Sequence, residues 1–406
     1  MKRNRTVLIG GTFLSLLIAL TVAQTMLERA AAAQQAGVEA PRFEVDPWWP
    51  KPLPNNWVLG QAIGVWADEQ DVIWIIHRGS ATLADNEKAL ELKNGECCAG
   101  APPVLAFDQN GNLVRSWGGP GQGYDWPTGN HGIFVDHLGN VWIGGNGPGD
   151  SHLVKFTKDG KFLAQFGKPN ARRGPPNAQG QPTYVGGSND PANYGRIAKI
   201  FVDPKANEAI LADGYLNKRV AIIDAMSGKM KRYWGAYGNK PDDTPVPAYD
   251  PAAPPAKQFR NPVHCAMLSN DGLLYVCDRN SDRLQVFKPD GTFVREAFFA
   301  RGTKASGSVW DVAFSRDPQQ RYIYVTDGMN NRVYVARRDT LEVLTSFGTG
   351  GRQPGQFFGV HSIATDSKGN IYTTETWEGK RLQKFVFKGV GKVRAPHQGP
   401  VWPETR

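Results

Sequence analysis

The feature that most constrains this chain is one hairpin unit written six times. The stretch "FRNPVHCAMLSNDGLLYVCDR" (259–279) runs apolar from Cys265 to Leu268, turns at Asp271-Gly272, and returns from Leu274 to Cys277, the signature of two antiparallel strands joined by a tight turn. The same unit reads "AIGVWADEQDVIWIIHR" (62–78), "GIFVDHLGNVWIGGN" (132–146), "KIFVDPKANEAILADGY" (199–215), "DVAFSRDPQQRYIYVTDG" (311–328) and "SIATDSKGNIYTTET" (362–376). Its anchors Trp74, Trp142, Ile210, Tyr275, Tyr324 and Tyr372 recur at intervals of 48 to 68 residues, and most units continue into a third strand such as "RLQVFKPDG" or "RVYVARRD". That spacing predicts four-stranded blades. A blade cannot bury both of its faces alone, so the blades must stack radially, and a ring of six closes on itself. The expected fold is all-β: a six-bladed propeller of four-stranded blades around a central channel, spanning 40–392. The segment near Phe43 to Leu59 is expected to supply the strand that completes the last blade, and 393–406 is left as a C-terminal tail. Inserts fall at 79–103, 168–195 and the Pro-rich 239–257, where binding function gathers on a rigid scaffold.

The ends and the composition set the surroundings. Lys2, Arg3 and Arg5 precede an uncharged run from Thr6 to Ala23 that ends in small residues, which predicts a secretory signal and spacer over 1–35. The competing reading is an uncleaved anchor, because the run approaches bilayer length. Either way the body faces a secreted or periplasmic space, with no stable membrane insertion once a signal is removed, and a monomer is expected. The net charge is +9, yet Lys and Arg are scattered among Asp and Glu without a basic stripe. Nucleic acid is not an expected partner; a positive field draws small anions. Of the four cysteines, Cys265 and Cys277 face each other across the quoted hairpin, whereas Cys97 and Cys98 are adjacent and could form only a strained vicinal bond. Bridges and inert thiols both remain open for them.

The histidines share a register. Asp136, Ser269 and Asp366 occupy the same turn position, each followed three residues later by Gly139, Gly272 or Gly369. Five places upstream lie His131, His264 and His361, and the same count in the other units reaches Ile63, Ala198 and Trp310. Histidine therefore holds one structural position in units two, four and six and never in one, three or five. The first strand of a propeller blade lines the channel, so three imidazoles from alternate blades converge on the axis, as in a three-histidine zinc site with an open fourth position and Zn–N bonds of about 2.0–2.1 Å. Calcium prefers oxygen ligands. His137, His152 and His397 stand outside the register and are expected to be structural, while His77 could support the ligands from behind.

A second coincidence lies at the far end of the hairpin. Arg78 follows Trp74 by four residues and Arg279 follows Tyr275 by four, so both should reach the histidine rim. There they could grip a carboxylate, or form salt bridges between blades. Tyr215, at the comparable end of unit three, is a general-base candidate beside a bound cation. Asp213, Asp278 and Asp327 recur with Arg219, Arg283 and Arg332, and are expected to hold blades together.

Together these residues resemble the peptidylamidoglycolate lyase family (peptidyl-α-hydroxyglycine α-amidating lyase), six-bladed propellers of NHL repeats. The similarity covers most of 60–388. "WIIHRG" resembles the first-blade motif that carries Arg78, and "WPTGNHGIFVDHLGNVWI" the segment that carries His131. "LADGYLNKRV" resembles the segment carrying the catalytic tyrosine, Tyr215; "NPVHC" and "VCDR" match His264 and Arg279; "GVHSIATDSKGNIY" carries His361. The resemblance implies Zn²⁺ on the three histidines, with Tyr215, Arg78 and Arg279 catalytic. The substrate it implies is a small anionic or peptide molecule with a carboxylate, whose carbinolamide C–N bond is cleaved to an amide and glyoxylate. Three departures stand out. Ser362 replaces an acidic residue that helps the family hold Ca²⁺, which argues against calcium; Leu216 replaces a cysteine; and Ile197-Ala198-Lys199 replaces Pro-Thr-Asp. Within these 406 residues a copper monooxygenase module is not expected beside the propeller. The alternatives are a non-catalytic NHL propeller that binds a protein or glycan through its rim loops, and a lactonase-like metal hydrolase, whose sites are usually oxygen-rich.

Overall fold

The computed structural model describes residues 37–403 together with Gln24. The expected signal and spacer, Gln24 apart, lie outside them. Among the described residues no helix is long and apolar enough to cross a membrane.

Six four-stranded sheets form the body. Their innermost strands are Ala62–Ala67, Asn130–Val135, Ile197–Asp203, Val263–Leu268, Asp311–Phe314 and Val360–Thr365. The second strands are Ile73–His77, Asn140–Gly145, Glu208–Asp213, Leu274–Asp278, Tyr322–Asp327 and Ile371–Glu375. Five blades are built in sequence order. The sixth takes its outermost strand from the start of the described chain, where Val38–Asp46 pairs antiparallel with Leu382–Val393. This closing strand begins and ends earlier than the Phe43–Leu59 expectation. Pro50, Pro52 and Pro54 follow it, and a proline run cannot supply ladder donors. The tail beyond Val393 packs on as well: Val45 N donates to Val401 O at 2.7 Å and Gly348 N to Gly399 O at 2.9 Å.

Alternation along each strand explains why the ring holds. In "IWII" of blade one, Ile73 and Ile75 pack against blade six, whereas Trp74 and Ile76 pack against blade two. Successive side chains point to opposite faces, so each blade contributes to two of six apolar cores that lie between neighbouring blades. The repeated turn acid has its own function. Trp74 Nε1 donates to Asp68 at 2.9 Å, Trp142 Nε1 to Asp136 at 2.8 Å and Tyr372 Oη to Asp366 at 3.0 Å. These three aromatic anchors are thus fully buried with their polar handles satisfied.

Of the three expected Asp–Arg pairs, two form. Arg219–Asp213 (2.8 Å) and Arg283–Asp278 (2.6 Å) are fully buried. Asp327 instead accepts from Asn330 Nδ2 at 2.7 Å and Tyr334 Oη at 3.0 Å, and no ion pair joins it to Arg332 among the described residues. Arg381–Glu375 (2.6 Å) supplies a third such pair in blade six. These guanidinium groups do not clamp blade to blade. Arg219 donates to the carbonyls of Ser188, Asp190 and Asn193, and Arg283 to those of Ala256 and Gln258, so each pins the insert that precedes its own blade. Cys265 and Cys277 are register partners with Cα atoms 4.8 Å apart and are joined as a disulfide. Cys97 and Cys98 are joined as well.

Candidate metal centre

A β-bulge marks the shared register position. The pairing of the innermost strand with its neighbour skips Ile63 in blade one, His131-Gly132 in blade two, Ala198 in blade three, His264 in blade four and His361 in blade six. In blade five the equivalent Trp310 sits just ahead of the strand. A bulged residue leaves the ladder, so its side chain is re-aimed and its carbonyl is released for another partner. The six positions use this freedom in alternation. His131 Nδ1 donates to Ala198 O and His361 Nδ1 to Ile63 O, each at 2.6 Å, and His264 Nδ1 donates to Trp310 O. Blades two, four and six supply rings; blades three, five and one supply the carbonyls that hold them.

A carbonyl can only accept, so each Nδ1 carries the proton and each Nε2 presents a lone pair. This is the outer-shell arrangement that orients a metal-ligating histidine. The three residues are 2%, 3% and 3% exposed in chain order, their ring centroids lie 4.8 to 5.1 Å apart, and their ligand atoms all fall within 4.8 Å of one another. Burial, reinforced by the neighbouring imidazoles and guanidinium groups, holds His131 and His264 well below the ordinary imidazole range. Burial first, and then Arg279, brings His361 down to about 3. Three neutral buried imidazoles with converging lone pairs are a donor set that could bind a metal ion.

Tyr215 seats its hydroxyl on this cluster, 2.9 Å from His131 Nε2 and 3.0 Å from His264 Nε2. Arg279 Nη1 donates to the same oxygen at 3.2 Å, and its guanidinium lies 4.5 Å over Trp310. Arg78 comes from the opposed blade and is held by Gln61 Oε1 at 3.0 Å, Asn146 Oδ1 at 2.7 Å and Asn130 O at 3.4 Å. Neither arginine forms an ion pair with a carboxylate among the described residues, so the salt-bridge alternative does not describe them. All six residues singled out from the sequence therefore converge on one end of the channel. His77 does not support the ligands through its ring. Its Nδ1 accepts from Gly60 N (3.2 Å) and Gly79 N (3.1 Å), its Nε2 donates to Pro102 O (2.9 Å), and burial lowers it to about 4.

One residue further along the same strands lies a layer that sequence reasoning missed. Lys199 follows Ala198, Asp311 follows Trp310 and Ser362 follows His361. Lys199 Nζ reaches both oxygens of Asp311 at 2.6 and 2.5 Å, and Asp311 Oδ2 also accepts from Ser362 Oγ at 2.7 Å and Ile363 N at 3.1 Å. Lys199 and Asp311 are 5% and 2% exposed. Blades three, five and six are thereby tied directly behind the carbonyls that orient His131 and His264. At the position where the resembled family has an acidic residue, Ser362 spends its hydroxyl on Asp311, and an ammonium already balances that carboxylate.

The chain matches no family model. It is 24% identical over 372 residues to peptidylglycine alpha-amidating monooxygenase of Rattus norvegicus, covering 86% of this chain and 34% of that protein. It is 23% identical over 368 residues to NHL repeat-containing protein 3 of Mus musculus, covering 86% of this chain and 85% of that one. The chain thus spans about a third of the first relative and most of the second. Among solved structures, one described as a streptogramin B lyase superimposes with a TM-score of 0.48 at 14% identity, over 85% of this chain and 98% of that chain. The chain is a six-bladed β-propeller of four-stranded blades that is similar, at low identity, to peptidylglycine alpha-amidating monooxygenases and to NHL repeat-containing protein 3.

Proposed function

We propose that this protein is a zinc-dependent lyase that cleaves the C–N bond of a peptidyl-α-hydroxyglycine-like carbinolamide to an amide and glyoxylate. The observation that carries this reading is the Tyr215 hydroxyl lying within hydrogen-bond reach of two of three converging neutral imidazoles. His131, His264 and His361 would hold the ion through Nε2, leaving room for a substrate ligand. When bound, zinc supplies Lewis acidity to a substrate oxygen.

The protein's own groups account for the rest. Tyr215 Oη takes the proton of the carbinolamide hydroxyl as general base. The O–H electron pair becomes the new C=O bond, the C–N bond breaks toward nitrogen, and the proton passes from Tyr215 to that nitrogen. One proton moves from oxygen to nitrogen, so amide and glyoxylate balance the substrate without water or an oxidant. Arg279, already donating to Tyr215 Oη, stabilises the phenolate from which Tyr215 starts and to which it returns once the proton has passed to nitrogen, and Arg78 and Arg279 hold the substrate carboxylate. Two disulfides support placement of the body outside the cytoplasm. Glyoxylate release from α-hydroxyhippurate or a hydroxyglycine peptide, by protein loaded with zinc, is the direct test; no release under these conditions refutes the activity.

A second reading is favoured by the relative matched nearly end to end, whose name records only the repeat. In that reading the propeller binds a protein or glycan through its rim. His264→Ala would then leave partner affinity intact, because binding would not need the three imidazoles.

A further inference from the structure

The insert 239–257 walls a groove of about 670 Å³, a size typical of small-ligand sites. Leu216 and Asn280 both line it, and they follow Tyr215 and Arg279 directly in the chain. Asn261, a third lining residue, donates through Nδ2 to Gly214 O and Asn217 O, each at 2.8 Å, and so fixes the loop that carries Tyr215. A substrate extending away from the trio therefore finds room across blades three and four.

The charges in the groove are unequal. Lys218, Arg260 and Lys304 line it against one carboxylate, Asp243. That carboxylate is already engaged by Ser188, through the backbone N–H at 2.9 Å and through the hydroxyl. Lys218 Nζ donates to Thr244 O at 2.5 Å, and Arg260 donates to Pro247 O. These partners are neutral, and Asp242 and Asp243 act on Lys218, and Asp278 on Arg260, only through space. Arg260 Nε is buried with no hydrogen-bond partner. Of these acids, Asp278 is paired with Arg283, and Asp242 accepts from the neutral Thr244. Leu216 and Tyr249 add apolar surface between the cations.

We infer that this groove is the acyl subsite, and that it selects substrates with acidic residues directly before the hydroxyglycine. The inference rests on the lyase reading above. Its test compares acetyl-Glu-Glu-hydroxyglycine, acetyl-Lys-Lys-hydroxyglycine and α-hydroxyhippurate by kcat/KM at low ionic strength. The Glu peptide should exceed the Lys peptide by about tenfold, a preference that shrinks with added salt. In Lys304→Glu and in Arg260→Gln the Glu/Lys ratio should fall by about threefold, the scale of one partly exposed charge pair. Because each ratio is taken within a single preparation, loss of folded protein cancels. Turnover of α-hydroxyhippurate with a Glu/Lys ratio of one or less, or a ratio that neither substitution moves, overturns the subsite and leaves the lyase standing. No turnover of any of the three removes the lyase reading, and this inference with it.

Discussion

The two mouths of the channel are lined by the same six strands and could hardly differ more. At the register position stand Ile63, His131, Ala198, His264, Trp310 and His361; three residues on stand Trp66, Phe134, Phe201, Met267, Ala313 and Ala364. The first ring is polar, bulged and cross-linked by hydrogen bonds. The second is an apolar plug in which Trp66 and Phe134 lie 4.4 Å apart between ring centroids and Phe134 and Phe201 5.2 Å apart. Regular pairing suffices for the plug, since hydrophobic contact is non-directional. The polar ring needs carbonyls that the ladder would otherwise consume, and the bulges release them. A polar site inside a sheet protein is thus obtained by keeping the register residue of each blade out of the ladder, by a bulge in five blades and by the start of the strand in blade five, with the buried Lys199–Asp311 pair separating that site from the plug.

If the polar mouth is the working end, the largest effect should follow from Tyr215→Phe. Loss of a general base lowers kcat by about 10²- to 10⁴-fold, while metal content stays at the parent level; glyoxylate assays beside elemental analysis report both. Asp311→Asn should come next, because it leaves the Lys199 ammonium buried and unpaired behind the trio. A cost of about 4 kcal/mol in denaturant stability is expected, together with weaker metal retention against a chelator. Stability lost without any change in retention would show that the layer behind the trio does not position it.

Phe134→Ala probes the other mouth. It should cost about 3 kcal/mol by opening the plug and leave metal stoichiometry unchanged, so a coupled loss of metal would break the separation between the two ends. The smallest effect concerns pH. His77 is lowered to about 4 by burial, so between that value and the ordinary 6.5 the unfolded chain binds the proton and the folded chain does not. Its contribution is complete above about 6.5 and is lost as pH falls, by roughly 2 kcal/mol between pH 7 and 5. Urea titrations of the parent and His77→Gln should differ in slope over that window, and identical slopes would remove His77 from the account.

What the sequence disclosed follows from repetition. The blades, the aromatic anchors and the histidine register are periodic, so aligning units against one another exposes them, and the alternation of His131, His264 and His361 with Ile63, Ala198 and Trp310 is legible in the chain itself. The bulges are not legible there, because Ile63 and Ala198 carry no bulge-forming side chain; only the partner strand's count reveals the skipped residue. The Lys199–Asp311–Ser362 layer escaped for a related reason. Each member occurs in one blade only, and a contact across the channel leaves no periodic trace. The Asp–Arg motif misled in blade five because nearby Asn330 and Tyr334 satisfy Asp327 instead, while Arg381–Glu375 does the same work with a longer acid. The proline run after Asp46 held the signal that ends the closing strand.

The central claim is that three bulged histidines share one cation. Elemental analysis of the purified chain and of His361→Ala tests it most directly: the account predicts close to one zinc per chain in the parent and a small fraction of that in the variant. A parent free of transition metal after growth and purification with zinc supplied, or a variant that keeps its full complement, would contradict it.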